Sequence, residues 1–318
     1  MKLSKYKILT AFTLTGMTIL STAAINKIIS SIATNNELYK NKQNLKYNWR
    51  LGNISYSKSG KGKPILLIHD IIPSSSKYEW HKLESEFKKS RTVYSINLLG
   101  CGDSEKPDIT YTNFLYVQLI SDFIKSVIGH RTDVITSGSS ASVAIMACHN
   151  DDSLFDKIIL INPNNISSFN KTTNSFSKIY KFILDTPVIG TLIYNISQRK
   201  SCINNAFKDD YFFNSYAIRD NDINFYHESA HIGGHSTKKL YTSIVCNYLG
   251  INITHALSRI NNSITIIGGS DEYNIDSTIS EYKEKNSSIE SIKIKCCKHL
   301  PQLEAPIKLS DILDIYLS

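Results

Sequence analysis

Short runs of apolar residues recur along this chain at the spacing of parallel strands joined by helices. Residues 64–70, 92–100, 133–138 and 155–163 each form a run of the length typical of a strand that is buried on both faces. Between these runs lie segments with helical periodicity, the longest over 112–129. This alternation predicts an α/β fold with a doubly wound, mainly parallel sheet.

The alternation stops near residue 164 and resumes near residue 262. The intervening stretch is rich in Asn, Phe and Tyr and contains no buried strand pattern, which predicts a helical insertion. Two further strands are predicted over 262–269 and 289–297. We therefore predict an N-terminal segment over 1–35, a core formed by 46–163 and 263–318, and a helical lid over 164–262.

The positive charge of the chain is concentrated at its N-terminus. The net charge is +8, and residues 1–63 hold eleven Lys or Arg residues against one acid, Glu37. A nucleic-acid-binding protein carries such charge on its folded body, so no nucleic-acid partner is expected. The six cysteines have no metal-type spacing, and no cofactor is expected.

An uncharged run, Ile8–Asn26, follows three lysines and has the length of a membrane-spanning helix. The segment fits a cleaved signal peptide, an uncleaved anchor or an interfacial helix, and a plain packed helix is the alternative. We expect the N-terminus to associate with a membrane surface. The charge bias places the amino end in the cytoplasm and favours the extracytoplasmic side for the body.

The stretch TSGSSASVAIMA (136–147) places three serines beside one glycine at a predicted strand–helix junction. A nucleophilic serine at such a junction needs small flanking residues, because a sharp turn must lift its oxygen above the sheet. Ser140, with Gly138 and Ser142 as flanks, meets this rule better than Ser139 does. We predict Ser140 as the nucleophile, and a serine-rich turn without chemistry is the alternative.

Two segments near the C-terminus supply the partners that a serine nucleophile needs. His299 follows the last predicted strand and Asp271 follows the strand before it, so both are expected at the carboxyl edge of the sheet with Ser140. The imidazole would remove the serine proton, and the carboxylate would orient the imidazole. Either Asp271 or its neighbour Glu272 could be that carboxylate.

Six segments carry a resemblance to a known family: ILLIHDIIPSSSKYEW, INLLGCGDSEKP, GSSAS, FDKIILINP, IIGGSDE and HLPQLEAP. These segments follow one another in the order found in the family. From about residue 46 to the end, excluding the insertion, the chain resembles the α/β-hydrolases of the lidded esterase, lipase and haloperoxidase-like group. The resemblance implies Ser140 as nucleophile, His299 as general base and Asp271 as orienting acid. It also implies an oxyanion hole formed by the backbone N–H groups of Ile71 and Ala141.

The resemblance implies a serine hydrolase that cleaves a small apolar carboxylic ester or related acyl substrate through an acyl-enzyme. Dehalogenases and epoxide hydrolases share these motifs but need an aspartate nucleophile, and Ser140 argues against both. One departure is Asp70, which stands where the family has glycine and places a carboxylate beside the oxyanion hole. The alternative is a non-catalytic, membrane-attached binding protein on a degenerate hydrolase scaffold.

A second motif, HESAHIGG (227–234), matches the zinc-peptidase pattern through His227, Glu228 and His231. No third ligand follows at the required spacing, so a surface or pocket-facing lid helix is preferred to a zinc hydrolase. Trp80 is predicted to pack in the core below the first helix or, alternatively, to contribute to the substrate-binding wall of the pocket.

Overall fold

The structure is a computed structural model that describes residues 5–40 and 44–317. Eight strands in this part of the chain form one sheet in the order β1-β2-β4-β3-β5-β6-β7-β8. Their bounds are β1 Leu45–Trp49, β2 Gly52–Ser59, β3 Pro64–Ile68, β4 Thr92–Ile96, β5 Thr132–Ser137, β6 Phe155–Ile161, β7 Ile264–Gly269 and β8 Glu290–Ile294.

The pairings of β3 through β8 are all parallel, and β1 and β2 form an antiparallel edge. The predicted doubly wound, mainly parallel sheet is therefore confirmed. The edge strand β1 was not predicted, because its sequence LKYNW follows a polar segment and lacks a continuous apolar run.

Helices cover both faces of the sheet. The described helices are α1 Lys5–Ala33, α2 His81–Phe87, α3 Asn113–Phe123, α4 Ser140–Asn150, α5 Ile166–Phe169, α6 Ser175–Asp185, α7 Ile189–Ser197, α8 Lys200–Ala206, α9 Asp220–His231, α10 Lys238–Val245, α11 Thr254–Leu257, α12 Ile275–Lys285, α13 Pro301–Glu304 and α14 Pro306–Leu317. Single turns of 3₁₀ or π type, such as Lys77–Trp80 and Phe207–Tyr211, connect some of them.

Successive residues of the central strand β3 point to opposite faces, as the strand period of two requires. Ile65 and Leu67 pack in the core layer that contains residues of α2 and α14, whereas Leu66 and Ile68 pack in the layer of α3 and α4. All four side chains are buried. This two-sided burial explains why the predicted strands read as continuous apolar runs.

The chain between β6 and β7 is helical, which confirms the predicted insertion. Its aromatic side chains, among them Phe207 and Tyr226, form a third apolar cluster with Leu300 and Leu303 of the core. The insertion thus covers the carboxyl edge of the sheet, where β3, β5, β7 and β8 end. The exact limits of the three segments stay a prediction.

The N-terminal helix α1 contains one stretch, Gly16–Ala33, that is long and apolar enough to cross a membrane. The end of α1 nearer the body packs against α7 and α9 of the insertion. Asn26 donates from its side chain to the carbonyl oxygen of Val188 at 3.0 Å and accepts from the Asn195 side chain at 3.0 Å. Most of the apolar side chains of this stretch are exposed.

Candidate active site

The turn between β5 and α4 has its sharpest point at Gly138. The strand ends at Ser137 and the helix begins at Ser140, and Gly138 has a φ of +57° in the left-handed region. A strand–turn–helix elbow of this kind is where α/β-hydrolases place their nucleophile. A Cβ built on Gly138 would lie 2.6 Å from Cγ of Asp70. The space for a side chain at the elbow is therefore filled by the Asp70 carboxylate.

Ser140 lies in the first turn of α4 and points into the protein. Its side chain is buried, and its Oγ lies 2.7 Å from each of the carbonyl oxygens of Ser137 and His69, to which it donates. The structure does not bring this hydroxyl to His299. The elbow falls two residues earlier than predicted, because the strand ends at Ser137 and the short string GSSAS fits the size rule in more than one register.

The Asp70 carboxylate is held by donors from the two loops that meet at the elbow. Its Oδ1 accepts from the backbone N–H groups of Ile71 and Ser139, both at 2.8 Å, and also from the Ser139 hydroxyl. The N–H of Ile71, predicted as an oxyanion-hole donor, thus donates to Asp70. The predicted second donor, Ala141, instead donates its N–H to the carbonyl oxygen of Gly138 at 3.3 Å, and the N–H that reaches Asp70 beside that of Ile71 belongs to Ser139.

His69 fixes the loop that carries Asp70. Its Nε2 accepts from the backbone N–H of Leu98 at 3.0 Å, so its Nδ1 carries the proton and donates to the carbonyl oxygen of Asp70 at 2.7 Å. Burial lowers the pKa of His69 to about 4, and the ring is neutral at physiological pH. His69 is a positioning residue that joins the ends of β3 and β4.

His299 stands between two carboxylates. Its Nδ1 lies 3.1 Å from Oε1 of Glu272, and its Nε2 lies 3.9 Å from Oδ2 of Asp70. Burial alone lowers the pKa of the imidazole, but attraction to Asp70 and Glu272 outweighs it and raises the pKa of His299 to about 10. The ring is therefore an imidazolium at neutral pH.

The charge of His299 also acts on Asp70. Burial raises the pKa of this carboxyl, yet hydrogen bonding and charge from His299, with the two donors of Ser139, hold the pKa below its usual value. Asp70 is therefore ionised at neutral pH, and it faces a cation. The ring of Tyr211 from the insertion stacks on His299 with centroids 5.5 Å apart, which places the lid directly over the pair.

Of the two predicted candidates for the orienting acid, the structure brings Glu272 to His299. The Asp271 side chain is exposed and accepts from the Ser270 hydroxyl at 2.6 Å. The backbone N–H of Asp271 donates to the carbonyl oxygen of Cys297 at 3.0 Å, which holds the turn so that the next side chain points inward. The spacing of residues along the sequence does not show which of two adjacent acids in one turn points toward the histidine.

One residue that supports the His299 loop, Asn162, was not found from the sequence. Asn162, at the end of β6, donates from Nδ2 to the carbonyl oxygens of Lys298 and His299 at 2.8 and 2.9 Å. Its Oδ1 accepts from the N–H of Gly269 at 2.9 Å, so one amide ties the ends of β6 and β7 to the histidine loop. Asn162 has a φ of 41°, in the left-handed region that asparagine adopts more readily than most residues. The signal that the sequence offers is therefore an asparagine at the end of a predicted strand.

Glu79 is a buried carboxyl that lies close to the histidine loop and to the strand before the elbow. It accepts from the Ser75 hydroxyl at 2.7 Å and from the side-chain amide of Gln302 at 2.6 Å. Burial raises the pKa of Glu79. Gln302 belongs to the HLPQLEAP motif and also donates to Ser137 at 3.2 Å, so this network links the histidine loop to the elbow strand.

A cavity of about 240 Å³ lies between the loop after β3 and the lid. Its wall is largely apolar and includes Ile72, Pro73, Ile203, Tyr241 and Tyr211, the residue that stacks on His299. Trp80 is not in this wall. Its side chain is fully buried in the core layer of α2 and α14, as its predicted core packing requires, so the alternative assignment as a substrate-binding residue is corrected.

The H-E-x-x-H motif lies on α9. The rings of His227 and His231 have centroids 4.7 Å apart, and Glu228 is buried beside the segment at residues 38–39. Across residues 5–40 and 44–317, no group of three or more His, Cys, Asp or Glu side chains is placed to hold a metal ion. The zinc alternative thus lacks a third ligand in this part of the chain.

The site therefore combines an ionised carboxylate, an imidazolium beside it and a second carboxylate that orients the ring. Such a set can attack an electrophilic carbon, donate a proton to a leaving oxygen and activate a water molecule. A substrate oxyanion could not use the donors of Ile71 and Ser139 while Asp70 Oδ1 accepts from both.

Comparison with known proteins agrees with this architecture. Residues 65–312 match the model of the alpha/beta hydrolase family. Two curated relatives match shorter stretches. An uncharacterised protein of Mycobacterium tuberculosis is 27% identical over 34% of this chain and 31% of its own length. The 2-hydroxy-6-oxo-6-(2'-aminophenyl)hexa-2,4-dienoic acid hydrolase of Metapseudomonas resinovorans is 33% identical over 23% of this chain and 25% of its own length.

Among solved structures, a bacterial membrane phospholipase A superimposes with a TM-score of 0.69 and 14% identity, covering 98% of this chain and 96% of that protein. Fold and site together define a lidded α/β protein with a carboxylate–histidine–carboxylate centre at the sheet edge. The match over residues 65–312 shows that the chain belongs to the α/β-hydrolase family. The curated relatives are matched over less than a third of their length, so they establish no activity for it.

Proposed function

We propose that this chain is a hydrolase whose nucleophile is the carboxylate of Asp70. The observation that carries the proposal is the place of this carboxylate, in the space above Gly138 with Oδ1 on two backbone N–H groups and Oδ2 facing His299 Nε2. A nucleophile borne by the elbow residue would occupy the same space. The apolar cavity beside Tyr211 suits a small apolar substrate.

The contact of His299 with two carboxylates, which favours its protonated form, supports a particular class of substrate. A ring with a pKa of about 10 enters the reaction as an acid, so the leaving group is one that needs a proton. An apolar epoxide satisfies both conditions. Asp70 Oδ2 forms a bond to an epoxide carbon, the C–O bond of the ring breaks, and the alkoxide oxygen takes the Nε2 proton of His299. The products of this step are a hydroxyalkyl ester on Asp70 and a neutral imidazole.

The neutral imidazole then serves as the base. His299 removes a proton from water, and the hydroxide attacks Cγ of Asp70. The oxyanion that forms on Oδ1 is already held by the N–H groups of Ile71 and Ser139. Collapse breaks the bond between Cγ and the ester oxygen, the new carboxylic acid gives its proton to the leaving alkoxide, and a diol departs. Asp70 is again a carboxylate and His299 an imidazolium.

A single turnover in H₂¹⁸O with enzyme in excess over an apolar epoxide tests this sequence of steps. We expect ¹⁸O in the peptide that contains Asp70 and an unlabelled oxygen in the diol. If the label appears in the diol and not in Asp70, water attacks the substrate directly and Asp70 is not the nucleophile. A panel of carboxylic esters and a fluorophosphonate probe run beside it, because labelling of Ser139 or Ser140 would restore the serine acyl-enzyme hypothesis.

One observation favours a second candidate function. Gly138 has no side chain at the elbow, and the donors of Ile71 and Ser139 are engaged by Asp70, as expected for a non-catalytic binding protein on a hydrolase scaffold. Binding of apolar ligands without turnover of epoxides or esters would support this function. Turnover that depends on Asp70 would exclude it.

We further propose that α1 attaches the protein to a membrane. The apolar, largely exposed stretch Gly16–Ala33 supports this role, and so does the likeness over 98% of the chain to a membrane phospholipase A. Fractionation of the full chain tests it, with the expectation that the protein sediments with membranes and is released by detergent. Recovery of full-length protein with an intact N-terminus in the soluble fraction would contradict attachment.

A further inference from the structure

Helix α6 of the insertion is amphipathic, and its apolar face is directed outward. Phe176, Ile179 and Phe182 are exposed by 82%, 61% and 76%, and Ile183 is also exposed. The side chains that face the protein are Ser177 and Leu184. A surface helix of a soluble protein has the opposite arrangement, with its apolar stripe toward the core. Such an exposed apolar face indicates a binding surface.

The exposed face continues onto neighbouring helices. Helix α7 packs against α6 on one side and against α1 on the other, and it adds Ile189 and Ile196, both exposed. Helix α1 adds Leu20 and Ile28, also exposed. We define the lid apolar surface as Phe176, Ile179, Phe182, Ile183, Ile189 and Ile196. This surface is thus joined, through packed helices, to the segment that is long and apolar enough to span a bilayer.

We propose that the lid apolar surface docks onto a lipid bilayer, with α6 lying in the plane of the membrane interface. An amphipathic helix in this position buries its apolar face about 5–10 Å into the boundary between headgroups and acyl chains. Exposed basic side chains near the surface, Lys178 on α6 and Arg199 and Lys200 after α7, are suited to anionic headgroups.

A bilayer is favoured over a second copy of the chain by the packing of α1. Asn26 of α1 is hydrogen-bonded to Val188 and Asn195, at the start and in the body of α7. When the part of α1 that precedes Asn26 enters a membrane, these contacts keep α7 and the adjoining α6 close to the same membrane. The insertion is then a second membrane contact that is independent of the chemistry at Asp70.

Depth-dependent fluorescence quenching tests the proposal on the full chain. The two native tryptophans, Trp49 and Trp80, are buried, so a tryptophan placed on the surface dominates the response to a lipid quencher. Phe182→Trp reports from the lid apolar surface. Tyr273→Trp is the matched control, because Tyr273 is 86% exposed and lies in the loop after β7. Both variants are reconstituted in phosphatidylcholine–phosphatidylglycerol vesicles with brominated acyl chains.

We expect brominated lipid to reduce the Phe182→Trp signal roughly twofold or more and to leave the Tyr273→Trp signal unchanged, as the interfacial depth of the helix requires. Equal quenching of the two variants would overturn the proposal. So would a blue-shifted Phe182→Trp emission that brominated lipid does not quench and that dilution reverses, since that result would show a second protein copy on the surface. Both substitutions are at exposed positions, and circular dichroism checks that the fold is kept.

Discussion

The two halves of the candidate site follow the family resemblance to different degrees. In the histidine half, the loops after β7 and β8 bring the carboxylate of Glu272 to Nδ1 of His299. This is the contact expected between an orienting acid and a histidine. In the nucleophile half, the backbone elbow is present at Gly138, but the space for its side chain is filled by the carboxylate of Asp70, from the loop after the neighbouring strand β3. The comparison teaches that the backbone geometry of an elbow can be kept while a side chain from another loop fills the space of the elbow side chain.

The strongest test of this contrast is Asp70→Asn. The amide keeps the size of the side chain but is a poor nucleophile, so we expect epoxide turnover to fall by about 10³-fold or more. Steady-state kinetics with Asp271→Asn as control measure the effect, and the control should retain wild-type turnover because its side chain is exposed. Equal rates for wild type and Asp70→Asn would remove Asp70 from the mechanism.

In the histidine half, Glu272→Gln should be more damaging than Asp271→Asn. Loss of the carboxylate on Nδ1 removes the group that orients the ring and stabilises its charge, which costs up to about 10⁴-fold in comparable hydrolases. We expect kcat to fall by roughly 10²-fold or more in Glu272→Gln. If Asp271→Asn were the slower variant, the orienting acid would be the exposed residue and the described contact would not matter to catalysis.

The two halves are coupled through the charge of His299, and this coupling is visible as a pH dependence. With a folded-state pKa of about 10 and an ordinary value of 6.5, His299 contributes stability that is fully present below about pH 6.5 and is lost as pH rises through 10. Asp70→Asn removes one carboxylate, so the pKa of His299 should fall. NMR titration of the imidazole measures it, and an unchanged pKa would mean that the halves are independent.

The smallest effect is expected at Ser140. Ser140→Ala removes one buried hydrogen bond to the carbonyl oxygens of Ser137 and His69, which should lower the free energy of unfolding by about 1 kcal/mol. Turnover should stay within a few-fold of wild type, because the Ser140 hydroxyl faces away from the site. Urea unfolding and steady-state kinetics give both values. A loss of turnover as large as that of Asp70→Asn would return the nucleophile to Ser140.

The sequence predicted the sheet and the insertion because strands buried on both faces leave continuous apolar runs. It predicted His299 and an acid at 271 or 272, since β7 and β8 end at one edge, but it assigned the acid to Asp271, whereas the structure brings Glu272 to His299. It did not predict the elbow register, because the position of the turn depends on where β5 ends within a run of small residues. Asp70 stood out as a departure, but only packing shows that its carboxylate fills the space above Gly138.

The contact between Gly138 and Asp70 constrains how such a site can evolve. A serine at 138 would place its Cβ 2.6 Å from Asp70 Cγ, so the aspartate side chain would have to leave its place above the elbow to admit it. Removing the aspartate first would leave neither the proposed nucleophile nor a serine at the elbow. On the proposed mechanism, each single substitution toward a serine enzyme would therefore pass through an inactive protein, and the two positions would form an epistatic pair. Selection for activity would hold this arrangement in place, even though the conventional one lies only two replacements away.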